Sequence, residues 1–428
     1  MTTYDNSPSW RRYRQLLLDA FDLPIRHVPI ERWKAVRGHE LHVDEWRPDG
    51  RAKGTLILVH GAGGHGRILA PLADWAAGLG WLALAPDLPG YGLTRPDADF
   101  RWDYGEWPAV LTALADECEG PVVLMGLSVG GMTAALAAQA ARDVQGVIVT
   151  TLLDMGDPFT FARAAKWRWL GEASLLGFRW MPSIVDRVRL PLRLAASMDR
   201  MSSHPAMAEY FENDPFLGGL RVPSRFFRTM HELRVSRLEP SCPLLLVHPG
   251  ADSWTPTAMS RPAFDRVLGD KRLRELSNGS HLPAERPARL ELEQEMRDFL
   301  AAVERKDLAR SQKISRAPMI PTATVDYRQP MNSRLHYEQA LAIVGSAIQA
   351  WDPFGLAANG APPDEYAQEV ASIVVRIPRC RSEAELASAI SGVFSETFGS
   401  DTFTVANCSE PARRAYTGLV GAGLLQPA

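Results

Sequence analysis

From Gly54 to Val303, short apolar runs alternate with stretches of helical spacing, and no other feature restricts the possible folds of this chain so strongly. Gly54–His60 reads GTLILVH and runs into a glycine-rich loop, so it is expected as a buried strand. Pro71–Leu79 then has helical spacing, with a proline suited to a first turn. Trp81–Pro86 is a second strand, followed by the turn-rich DLPGYGLT. Glu106–Glu117 reads as a helix, Pro121–Met125 as a strand, Gly130–Arg142 as a small-residue helix and Val144–Leu153 as a strand. The alternation stops between about Asp154 and Pro240, where Trp, Phe, Met and Arg accumulate on helical patterns. It resumes with Cys242–His248, a helix near Pro262–Leu268, the strand Leu273–Leu276 and a long helix from about Ala284 to Val303. Strands separated by single helices imply right-handed crossovers and a doubly wound, mostly parallel α/β sheet. An insertion between two such strands is expected as a helical cap over their carboxyl ends, the edge where open sheets bind ligands.

The chain has 428 residues, more than one hydrophobic core usually organises. The expected division is a domain over residues 1–303 with its cap at about 154–240, a linker at 304–334 with three prolines and no period, and a small helical domain over 335–428. In the last of these, Leu335–Ala350, Tyr366–Ile377 and Glu383–Phe398 read as helices, and WDPFGLAANGAPPDEY as the first connection. Forty-seven basic and fifty acidic residues nearly cancel, so no nucleic-acid partner is expected. The four cysteines form no CxxC pair, and the N-terminus lacks the apolar core of a signal peptide. No uncharged apolar run reaches the roughly 18 residues of a membrane span. The expectation is a soluble, cytoplasmic protein without a membrane span.

Gly126-Leu127-Ser128-Val129-Gly130 has the spacing G-x-S-x-G and lies between a strand and a helix. A serine displayed at the apex of so sharp a turn needs minimal side chains two residues before and after it, and the turn lifts its Oγ above the sheet. Serine at this position favours acyl transfer through an ester intermediate. His60-Gly61-Ala62-Gly63-Gly64-His65-Gly66 follows another strand, and its glycines let backbone approach a tetrahedral intermediate. The backbone N–H groups of Ala62 and Val129 are the candidate oxyanion donors. The loop lacks the GK[ST] ending of a phosphate-binding loop. His60 is expected as a structural hydrogen-bonder, and His65 as an exposed loop residue or pocket wall.

Asp252, in HPGADSWTP after a strand, is the candidate acid, with Asp154 as its competitor. His281, in GSHLP, is the candidate base, which completes the order Ser…Asp…His. His27, His39, His42 and His336 read as surface residues; His204 and His231 fall in the cap. No HExxH-like spacing occurs, so neither a metal nor another cofactor is expected.

These segments, HGAGGHG, PDLPGYGLT, GLSVGG, HPGADSWTP and GSHLPAE, resemble the α/β-hydrolase superfamily over residues 30–303. ENDPFLGGLRVPSRFF and GSHLPAERP resemble its monoacylglycerol lipase, lysophospholipase and serine-aminopeptidase-like branch, which implies hydrolysis of carboxylic esters, often of lipid acyl chains. Residues 335–400, with WDP and GAPPDEY, resemble a family of small uncharacterised bacterial helical domains that implies no activity. The acidic pair Asp364 and Glu365 is read as a first helical turn.

The expected reaction has His281 deprotonating Ser128, attack on an acyl carbonyl and release of the acyl group to water. Amide, peptide or C–C hydrolysis by the same triad, and a catalytically silent binding module, are the competing readings. Phe161, Trp167, Trp169, Phe178, Trp180, Met181 and Met198 supply apolar mass in the cap. Trp167, Trp169, Phe178 and Trp180, with His65, are the candidate substrate-binding residues. Eight basic residues stand against three acidic ones over residues 161–200, which suggests an anionic as well as lipophilic ester.

Overall fold

The computed structural model describes residues 3–235, 237–316, 334–353, 366–377, 380–398 and 403–425. The chain divides into two units, Met1–Ala317 and Pro318–Ala428, and each has its own apolar core.

The first unit opens with α1 (Pro8–Phe21), β1 (Ile30–Val36) and β2 (His39–Trp46). Then come β3 (Thr55–Val59), α2 (Ala70–Gly78), β4 (Leu82–Pro86), α3 (Glu106–Asp116), β5 (Val122–Gly126), α4 (Val129–Ala140) and β6 (Val144–Val149). The cap holds α5 (Pro158–Ala164), α6 (Arg168–Trp180), α7 (Pro182–Val185), β7 (Arg189–Pro191), α8 (Leu192–Ala195), α9 (Pro205–Asn213), β8 (Arg221–Pro223) and α10 (Ser224–Glu232). The sheet is completed by β9 (Leu244–His248), α11 (Thr257–Asp265), β10 (Lys271–Glu275) and α12 (Ala288–Arg316). Among the described residues, eight strands form one sheet in the order β1-β2-β4-β3-β5-β6-β9-β10. β1, β2 and β4 pair antiparallel, and the remaining pairs are parallel.

β3 and β5 are buried along their whole length, which is why they read as unbroken apolar runs rather than alternating ones. Burying each of Leu56, Ile57 and Leu58 contributes roughly 1.5–3 kcal/mol. The parallel register pairs Val59 with Gly126 and Glu275 with His248. The strands therefore end level, and the loops that follow β3, β5, β9 and β10 gather at one edge beneath the cap.

The β1–β2 hairpin was not legible as an apolar pattern. Its partners run from Ile30↔Glu45 to Val36↔His39, closed by Arg37 and Gly38 at φ 49° and 83°, the positive angles of a tight two-residue turn. Nor are its histidines surface residues: His39 and His42 are buried. His42 Nδ1 lies 3.0 Å from Asp87 and Nε2 lies 2.9 Å from Glu31, while Arg67 forks onto Asp44 with two bonds of 2.7 Å. His42, Asp44 and Glu31 also hold ligand-type atoms within 4.8 Å of one another, but Arg67 and the His42 ring already partner both carboxylates. His27 is half-buried against Asp74, and the side chain of His336 lies outside the described residues.

The helix expected to end at Val303 runs on through Arg316, thirteen residues into the segment read as linker. Glu304, Arg305, Lys306, Leu308, Ala309, Arg310 and Gln312 are good helix formers, and helical propensity needs no apolar period to act. The rest of that segment, 317–333, lies outside the described residues, as do 354–365 of the next connection, with Asp364 and Glu365. The second unit contains α13 (Arg334–Trp351), α14 (Ala367–Arg376), α15 (Glu383–Phe398) and α16 (Ser409–Gly421) around Val344, Ile348, Ile373, Leu386, Phe394 and Leu419. No described helix is long and apolar enough to cross a membrane.

Candidate active site

Ser128 caps α4 at φ 56° and ψ −135°, a backbone conformation that L residues rarely adopt. Close packing leaves no room for side chains beside it. A Cβ on Gly126 would stand 2.1 Å from the Gly130 carbonyl oxygen, and one on Gly130 2.5 Å from that of Val59. Thr151 Oγ1 donates to the Ser128 carbonyl at 3.0 Å and braces the turn from the end of β6. A Cβ on Gly61 would lie 2.6 Å from the Ser128 Cβ, so the loop after β3 rests directly on the serine.

That loop is pinned from below. His60 is fully buried; its Nδ1–H donates to the Gly61 carbonyl and its Nε2 accepts from Leu88 N–H, each at 2.9 Å. Burial pushes its pKa down and keeps it neutral, so His60 takes the structural part expected of it. Asp87 Oδ1 accepts from Gly66 N–H at 2.6 Å. The backbone N–H groups of Ala62 and Val129 have no protein acceptor among the described residues, and both residues line the same cavity as Ser128.

Asp252 follows β9 and is buried. Its Oδ1 accepts from Trp254 and Thr255 N–H at 2.9 Å each, and its Oδ2 from Thr255 Oγ1 at 2.8 Å and His281 Nδ1 at 2.7 Å. Burial alone would raise the carboxyl's pKa, but His281 and the other donors outweigh it and hold the pKa down at about 2. His281 therefore presents Nε2 away from the acid, and that nitrogen has no partner among the described residues. Asp154, the competing acid, is taken up by an ion pair with Arg266 and by Gly156 N–H. Trp254 and Thr255 are site residues that pattern reasoning missed. The Trp254 ring lies 4.7 Å from the His281 ring, and Trp254 and Thr255 join Ser128 on the cavity wall. Their signal was present in the DSWT that carries Asp252.

The cavity runs from Ser128 under the cap, walled by Phe161, Leu170, Phe178, Leu190, Val222, Phe227 and Met230, among others. Ser174 and Ser224 are polar exceptions, and no charged side chain lines it among the described residues. Of the residues expected to bind substrate, Phe178 is on this wall. Trp167, Trp169 and Trp180 are not: they are 44%, 63% and 70% exposed, on the outer side of the cap. Helical geometry explains the division, because α6 turns Leu170, Ser174 and Phe178 inward and leaves Trp169 and Trp180 outside. His65 is neither exposed nor a pocket wall. It is buried, stacked on Tyr4 at 4.6 Å, and burial pushes its pKa down to about 3. His204 and His231 are also off the wall; His231 Nδ1 bonds the Met155 carbonyl at 2.8 Å. The cap arginines do not reach the cavity: Arg163, Arg168, Arg179, Arg187, Arg189 and Arg200 are exposed.

Residues 50–285 match the family described as serine aminopeptidase, S33, and residues 343–417 match the domain of unknown function DUF1871. The monoglyceride lipase of Rattus norvegicus is 27% identical over 225 residues, which cover 50% of this chain and 70% of the rat protein. Lipase LipV of Mycobacterium tuberculosis is 36% identical over 116 residues, 27% of this chain and 41% of the lipase. A soluble variant of the monoglyceride lipase from Saccharomyces cerevisiae, solved with a substrate analog, shares the fold with a TM-score of 0.54 at 17% identity. That match covers 66% of this chain and 98% of the yeast chain.

Proposed function

The chain belongs to the serine aminopeptidase S33 family, and we propose that it hydrolyses neutral carboxylic esters of lipophilic acyl groups through an acyl-enzyme on Ser128. In this reading His281 Nε2 takes the Ser128 proton as Oγ attacks the acyl carbonyl. The Ala62 and Val129 N–H groups, with the positive end of α4, hold the oxyanion. His281 then protonates the leaving alcohol, and water repeats the cycle. Asp252 keeps the Nδ1–H tautomer in place and stabilises the imidazolium. Hydrogen bonds of this kind tighten when substrate binds, and the open Nε2 leaves the base ready for that contact.

The observation that carries this reading is the positive-φ Ser128 opening onto a cavity without charged walls. Each acyl CH₂ buried there is worth roughly 0.8 kcal/mol. The family description favours a second reading, removal of an N-terminal amino acid from a peptide. That reaction has to hold a free α-ammonium group near the scissile carbonyl, and no carboxylate lines the cavity among the described residues. The same wall argues for neutral rather than anionic esters. The names of the lipase relatives point the same way.

The test is a panel of p-nitrophenyl esters and aminoacyl anilides, with Ser128→Ala as control. Esters should be cleaved, anilides should not, and Ser128→Ala should lose on the order of 10⁶ in turnover while staying folded. Turnover retained in Ser128→Ala would remove the nucleophile, and anilide cleavage would favour the peptidase reading.

A further inference from the structure

His281 lies on the loop between β10 and α12, and Asp252 holds its ring but not the backbone that carries it. Four residues after the histidine, Glu285 folds back over it. Its Oε2 accepts from Ser280 N–H at 3.1 Å, and its Oε1 accepts from Ser280 Oγ at 2.5 Å. Oε1 also accepts from Ser203 Oγ at 2.6 Å. Ser280 immediately precedes the histidine, whereas Ser203 belongs to the cap. One carboxylate thus clamps the backbone next to the base and ties it to the cap.

The cap segment on the other end of this tie also touches the neighbouring loops. The Met201 carbonyl accepts from Leu282 N–H at 2.8 Å, on the other side of His281. Arg200 Nη1 donates to the Ser253 carbonyl, next to Asp252, at 3.4 Å. The Met198 sulfur packs against the oxyanion loop, where a Cβ on Gly63 would meet it at 2.9 Å. Residues 198–203 therefore bear on the acid, base and oxyanion loops together.

We infer that Glu285 is a positioning residue for His281, and that its bond to Ser203 makes the geometry of the base depend on the seating of the cap. The inference rests on His281 serving as the base. A carboxylate suits the task because all of these partners are donors. A glutamine keeps one oxygen for the Ser280 N–H, and its amide NH₂ can donate to the Ser280 and Ser203 hydroxyls, which also accept, so it should restore much of the clamp.

The experiment measures steady-state hydrolysis of p-nitrophenyl butyrate by full-length Glu285→Ala, Glu285→Gln and Ser203→Ala, with melting temperature followed in parallel. Misplacing a catalytic group by about 1 Å costs on the order of 100-fold, so kcat of Glu285→Ala should fall about 10- to 100-fold. KM should stay within about twofold, because no substrate contact is removed. Fluorophosphonate labelling of Ser128 should slow in step with kcat. Glu285→Gln should keep more of kcat than Glu285→Ala, and Ser203→Ala should show a smaller loss confined to kcat. A folded Glu285→Ala with unchanged kcat, or with its loss confined to KM, overturns the inference. If Glu285→Ala does not fold, Ser203→Ala decides: it spares the Ser280 bonds, and an unchanged kcat there overturns the coupling to the cap. A Ser128→Ala protein as active as its parent would instead mean that the proposed function has failed.

Discussion

At the scale of single residues, the two candidate acids differ in their hydrogen bonds. Asp252 faces His281 and three other donors, whereas Asp154 is neutralised by Arg266. Asp252→Asn should therefore cost about 10⁴ in turnover by favouring the wrong tautomer of His281. Asp154→Asn should leave kcat within about tenfold; the reverse order of damage, measured on one ester, would exchange their roles. His42 makes a separate prediction about stability. Burial alone would lower its pKa, but the Asp87 carboxylate 3.0 Å away and the hydrogen bond to Glu31 raise it from 6.5 to about 10. A group whose pKa is raised by folding stabilises most below its unfolded value, and the gain is lost as pH rises through the folded value. The melting temperature should therefore decline between pH 6.5 and about 10, and His42→Gln should flatten that slope. A parallel slope in the variant would assign the decline to other groups.

At the scale of elements, legibility followed the source of each element's stability. β3 and β5 announced themselves because apolar burial alone makes them strands. β1 and β2 did not, because much of what they bury is ionic: HELHVDEW places His42 and Asp44 inside, where only Arg67, Glu31 and Asp87 make them tolerable. Glu31 lies across the hairpin in β1, but Arg67 and Asp87 come from later parts of the chain, so no local window contains the whole set. The aromatic residues of α6 show a different limit. Their helix was expected, but which side faces the cavity depends on what α6 packs against. Gly171 settles it, since a Cβ there would meet the Ala162 Cα at 2.5 Å. Phe178→Trp should shorten the cavity and shift the preferred acyl chain of a p-nitrophenyl ester series downwards, while Trp180→Ala should leave the profile unchanged. An identical shift in both variants would put Trp180 on the acyl path.

At the scale of the whole molecule, each unit buries its own apolar cluster, and the helix that leaves the first ends at Arg316. Cutting near Lys306 would remove the last turns of α12, so the boundary to test is Ala317. A chain ending there should keep its melting transition and hydrolyse a small soluble ester with kcat within about twofold of the full chain, as expected when no part of a site is removed. An inactive or insoluble truncate would make residues 318–428 part of the hydrolase.

Local chemistry was enough to pick out the class of sheet, the sharp serine turn, the glycine-rich loop and the three residues proposed here as nucleophile, acid and base. Each depends on residues adjacent in the chain: glycines where a Cβ would clash, an apolar run where a strand is buried on both faces, a polar residue just after a strand's carboxyl end. Tertiary structure decided the rest. It sent the cap's tryptophans and arginines outward, buried His42 and His65, paired Asp154 with Arg266 and placed Glu285 between the cap's Ser203 and Ser280. These outcomes turn on which surface covers a side chain and which charge meets it. Both are settled by groups up to a hundred or more residues distant, as when Arg266 takes Asp154.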